Sequence, residues 1–126
     1  MKGILGKNAA LLIALALPGF AAATDRTDAE LAMTEAGTAV QSAERADATQ
    51  YAAADITAAH AMLAGAQAAY DHRHWDESAM DSESAKADAN LAAARSRQHI
   101  AEAMTAELDR TVNTLRQQLN IAGGQP

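Results

Sequence analysis

The chain has no cysteine, and its only prolines, Pro18 and Pro126, lie near its ends. Without cysteine there is no disulfide to staple the fold and no thiolate for catalysis or metal binding, so stability must be non-covalent. Between residues 38 and 122 the only glycine is Gly65, and with proline absent there too, little in that span interrupts a helix. Aromatic residues make up 3% of the chain: Phe20, Tyr51, Tyr70 and Trp75. A nucleic-acid surface interleaves aromatics with a basic face, and a formal net charge of −6 points the other way. β-branched runs are also scarce, which disfavours a sheet.

Alanine fills the space these absences leave. A 126-residue chain is one small domain at most, and the class expected is all-α: a three-helix antiparallel bundle with a long C-terminal helix and Ala/Ser-rich interfaces. A buried alanine removes far less apolar area than a buried leucine, so the core should be thin, with helix propensity carrying much of the stability.

Residues 1–23 read as a signal peptide. Lys2 and Lys7 supply a positive start, Ala9 to Leu17 an apolar run, and Pro18 and Gly19 a break before Ala21, Ala22 and Ala23. The apolar run falls short of the ~20 residues of a membrane-spanning helix. The expectation is export to the periplasm with cleavage after Ala23 and no membrane span afterwards. No cysteine follows the cleavage site to mark a lipoprotein.

The remainder, residues 24–122, reads as one helical domain with helices at about 25–47, 55–71 and 75–121 and a tail at 123–126. The chain is organised around the stretch Asp55–Ala92. Ile56, Ala59, Leu63, Ala66 and Tyr70 recur at spacings of three and four, as do Trp75, Ser78, Ser82, Ala85, Ala89, Ala92 and Ser96. That period predicts two helices folded back at the turn Asp71–His74, their small residues letting the backbones approach, most closely at Gly65. Asp55 is the expected N-cap of the first, and Asp76 and Glu77 suit the N-terminal dipole of the second. Ahead of them Ala29, Ala32, Ala36, Ala39, Ala43 and Ala46, with Met33 and Val40, mark one face of the opening helix. The segment 48–54 is expected to be a loop.

The run YAAADI at Tyr51–Ile56, the Ala/Leu helix through Tyr70, and WDESAMDSESAKADA at Trp75–Ala89 resemble a bacterial exported, Ala-rich helical family catalogued as a domain of unknown function. They also resemble a degenerate, tetratricopeptide-like hairpin. The family pattern is Y-A-P-x-E-L, then A-x-x-x-L-x-x-A, then G-D-Y-x-x-A. This chain departs from it with Ala53 in place of proline, Trp75 in place of tyrosine, Ser78 in place of alanine, and no lipobox cysteine. The resemblance implies an envelope protein and brings no catalytic residues.

The most chemical-looking spot is the turn, where His72, His74 and Asp76 could ligate a transition metal. Arg73 between the histidines repels a cation, and no second spaced histidine pair exists, so a solvated polar turn sealed by Tyr70 and Trp75 is the stronger expectation. Neither a nucleophile elbow nor an oxyanion loop is present. No enzymatic activity and no cofactor are expected. Farther along, Ile100, Met104, Leu108, Val112, Leu115 and Leu119 form a stripe of larger apolar residues beyond the reach of the shorter helices. It predicts a protein partner, or a homodimer by coiled coil, through the C-terminal helix. A break near Ser96, folding the end back along the bundle, is the alternative way to bury it. The function expected is a non-enzymatic interaction or structural protein of the bacterial envelope. The alternative is a periplasmic metal-binding or chaperone-like stress protein, although no LTxxQ run marks a chaperone of the envelope-stress type.

Overall fold

The computed structural model describes residues 23–124, and the expected signal segment falls outside them except for Ala23. Four helices account for nearly all of this span: α1 (Arg26–Arg45), α2 (Ala48–Tyr51), α3 (Ala53–Asp71) and α4 (Trp75–Gly123). No strand occurs among the described residues. The long helices run up, down and up, with α4 packed against both α1 and α3, so the expected all-α bundle is observed.

Each boundary has a local cause. Asp25 caps α1, its side chain accepting hydrogen bonds from the Thr27 and Asp28 amides at 2.7 and 3.0 Å, while Asp28 accepts in return from the Asp25 amide. The far end of α1 differs from expectation. α1 ends at Arg45 with Ala46 as its C-cap, and Asp47 follows in the left-handed region at φ 59°, a conformation that aspartate tolerates better than most residues. One helical turn, α2, then occupies much of the expected 48–54 loop. Asp55 is not the N-cap of α3. That place belongs to Ala52, which has no side chain to cap with, and Asp55 lies in the first turn, where its carboxylate holds the Arg95 guanidinium at 2.7 Å.

The α3–α4 turn closes by a Schellman pattern. The His74 amide donates to the Ala69 carbonyl and the Arg73 amide to the Tyr70 carbonyl, both at 2.9 Å, with Arg73 at φ 62° in the place glycine usually takes.

Packing follows the small-residue faces. Ala29, Ala36, Val40 and Ala43 of α1, Ile56, Ala59, Ala66 and Ala69 of α3, and Ser78, Ser82, Ala85, Ala89, Ala92, Ala93 and Ser96 of α4 are buried. Ala48 and Ala52 join them beneath the α1–α3 connection. The largest side chains removed entirely from water are the serines 78, 82 and 96. The core is therefore thin, and its helices are held together chiefly by backbone proximity. The closest backbone approach expected at Gly65 is not seen: what a Cβ there would meet is the Asp81 side chain, its carboxylate oxygen at 2.9 Å, and no backbone atom of α4.

The buried hydroxyls are satisfied. Ser82 donates to the Ser78 carbonyl at 2.7 Å, Ser78 to the Met33 sulfur at 3.4 Å, and Ser96 to the Ala46 carbonyl. The last of these ties the end of α1 to α4. Ion pairs lace the outside, Lys86 to Glu35 at 2.5 Å and Arg95 to Asp55. The hydrogen bond to Glu35 raises the Lys86 pKa above its ordinary value. The Lys86–Glu35 pair is solvent-accessible and contributes little to stability by itself, whereas Asp55 is largely covered beneath Arg95.

Candidate functional site

Two places invite a functional reading, the free half of α4 and the polar turn at the opposite end of the bundle. α1 has 20 residues and α3 has 19, whereas α4 has 49. At ~1.5 Å per residue the last helix is about 73 Å long, more than twice either neighbour. The three helices run side by side only as far as Ser96, the last buried residue of α4. From Ala101 to Gly124 every residue is exposed. α4 is continuous through Ser96, so the break that would have returned the end to the bundle does not occur.

On this free segment Met104, Leu108, Leu115 and Leu119 are 63%, 65%, 53% and 72% exposed, and Val112 is also open to solvent. Ile100, at the edge of the bundle, is half-buried. All six expected interaction residues thus share one stripe, open to solvent from Met104 to Leu119 and half-covered at Ile100. At 3.6 residues per turn that stripe is rotated by roughly 100° from the Ala/Ser face that packs against α1 and α3, so it does not simply prolong the bundle seam. Polar groups beside it are occupied locally: Gln98 donates to Glu102 at 2.8 Å, Arg110 reaches Glu107 at 3.5 Å, and Thr105, Thr111 and Thr114 each bond the carbonyl four residues back.

Where the free segment leaves the bundle, Tyr51 stacks on His99 with ring centroids 6.4 Å apart. This contact is not legible in the sequence, because Tyr51 comes within reach of α4 only through the unforeseen helical turn α2. His60, farther down the bundle, pairs with Glu44 at 3.0 Å.

At the turn, the His72 and His74 rings lie 6.2 Å apart and tilted, and His74 Nδ1 faces Glu77 at 3.3 Å. Among the described residues no group of three or more His, Cys, Asp or Glu side chains is placed to hold a metal ion. His72, His74 and Asp76 therefore do not converge. The turn is sealed by Tyr70 and Trp75, edge to face with centroids 4.9 Å apart. Arg26 Nε donates to the Tyr70 hydroxyl at 2.9 Å, and this bond raises the arginine's pKa. The Tyr70 hydroxyl donates onward to Glu30 at 3.4 Å. The surface depressions of the bundle, such as the one bounded by Thr24, Ala79, Met80 and Glu83, are shallow and open.

Among the described residues no helix is long and apolar enough to cross a membrane. No protein-family model, no curated protein and no solved structure matches the chain.

Proposed function

We propose that the chain is an exported, non-enzymatic interaction or structural module of the bacterial envelope, in which a self-sufficient bundle holds out the far half of α4 as a contact element. The observation that carries this reading is the continuous helix beyond Ser96 with its open stripe at Met104, Leu108, Val112, Leu115 and Leu119. Isolated helices are marginal in water, and a row of large aliphatic side chains along one side of such a helix is the usual mark of an interface. The periplasmic address rests on the charge, apolar and Ala-x-Ala pattern of residues 1–23. The resemblance to the exported Ala-rich helical family is part of the same proposal.

The test is site-specific photo-cross-linking in the native host. A photoreactive side chain at position 108 or 115 should give larger adducts in the envelope fraction, whereas one at the exposed Ala106 should give few. Mass spectrometry of the same sample should report Thr24 as the first residue. An absence of adducts from both stripe positions overturns the interaction reading, and an intact Met1 overturns export with cleavage.

A further inference from the structure

We propose that the occupant of the α4 stripe is a second copy of this chain, lying antiparallel so that the two bundles stand at opposite ends of a rod. This rests on the interaction reading above and names its partner.

Three observations point to it. First, the spacing of the stripe is nearly its own mirror image. Reversing one helix against another sets Ile100 opposite Leu119 of the second copy, Met104 opposite Leu115, and Leu108 opposite Val112, so every large side chain meets another.

Second, the charges on one flank suit that register. Glu102, Asp109 and Arg116 fall within about 40° of one another around the helix. In an antiparallel pair related by a two-fold axis, a flank meets the same flank of its partner. Arg116 of one copy then lies beside the interval between Glu102 and Asp109 of the other, twice by symmetry, and these two arginines offset the approach of the two Asp109 carboxylates, which the same register sets near the two-fold axis. Thr111 and Gln118 lie within the stripe itself, and on the opposite flank Glu107 of one copy falls beside the uncharged Thr114 of the other.

Third, charge is unevenly divided along the molecule. Beyond Ser96, Arg97, Arg110 and Arg116 balance Glu102, Glu107 and Asp109, so the net charge of −6 resides in the rest of the chain. Because Lys2 and Lys7 are positive, the bundle itself is more acidic still. A parallel pair would set two acidic bundles side by side. An antiparallel pair separates them by the length of the overlap, roughly 30 Å for twenty residues, well beyond the screening length of about 8 Å at physiological salt.

The absence of native cysteine makes disulfide trapping decisive. Two full-length variants, Met104→Cys and Leu115→Cys, are purified and oxidised separately and as a mixture. The mixture should give a covalent dimer joining position 104 to position 115. Met104→Cys alone should not, because its two sulfurs would be about 11 residues, or ~16 Å, apart along the axis, and a disulfide requires Cα atoms within about 7 Å. Efficient self-cross-linking of Met104→Cys overturns the antiparallel arrangement. In sedimentation experiments on the native chain, Arg116→Glu should weaken self-association at least tenfold, and mixing it with a Glu102→Arg, Asp109→Arg variant should restore it. A native chain that stays monomeric at high micromolar concentration overturns the second copy as occupant. Host photo-adducts containing a different protein would, with that result, leave the interaction reading standing.

Discussion

Replacing Ala89 with leucine is expected to lower the stability of the bundle by about 3 kcal/mol, the upper part of the usual overpacking range. Ala89 is fully buried on α4, in the cluster that contains Val40, Ala43, Ile56, Ala59, Ala92 and Ala93. In a core of leucines and phenylalanines an added isopropyl group meets side chains that change rotamer to make room. Around Ala89 most neighbours are alanines, whose only atom beyond the backbone is Cβ, so the extra volume must be met by moving a helix. Urea denaturation followed by circular dichroism measures the loss. The control is Ala106→Leu, at an exposed position of the same helix, which should change the midpoint little. Equal midpoints for Ala89→Leu and the parent would mean that the helices do not approach as closely as their alanine faces require.

The second large effect is expected at the other end of the bundle. Trp75→Ala should cost about 2 to 3 kcal/mol, below the 3 to 5 typical of a fully buried aromatic because the indole is only half-buried. The loss combines the edge-to-face contact with Tyr70 and the cover that the indole gives to the start of α4. With Trp75 gone, Tyr70 loses the surface against which it holds the Arg26 guanidinium, so the α1 end of the molecule should loosen as well. Thermal melts by circular dichroism read this directly. An unchanged melting temperature would show that the ring contributes no packing and would return it to consideration as a ligand contact.

These two expectations share a reason with what the sequence makes legible. Where small residues recur at the helical period and no glycine or proline intervenes, as in α4, both the helix and its buried face can be read off directly, and Ser78, Ser82, Ala85, Ala89, Ala92 and Ser96 are all buried. The free stripe is legible for the same reason, since its larger side chains contrast with the alanines before them. The connection between α1 and α3 is not legible. Its stop depends on Asp47 adopting a left-handed backbone, and the surrounding alanines favour helix on every side. The same lack of contrast hides Ala48, Ala52, Ala69 and Ala93 among alanines that stay exposed. Asp55 looks like a cap because it precedes an apolar run, yet tertiary structure uses it to hold Arg95 across the α3–α4 interface. At the turn, sequence proximity gathers His72, His74 and Asp76, whereas a metal needs several ligands aimed at one point.

The division of the molecule into a self-supporting bundle and an unsupported contact helix is tested most directly by shortening α4. A chain ending at Ala103 keeps every buried residue of the bundle, together with the Tyr51–His99 and Ser96–Ala46 contacts. Its thermal midpoint, measured in dilute solution where association is negligible, should match that of the full chain. A fall of about 5 °C or more, equivalent to roughly 1 kcal/mol in a domain of this size, would mean that residues beyond Ala103 support the bundle itself and would contradict their assignment as a free surface for a partner.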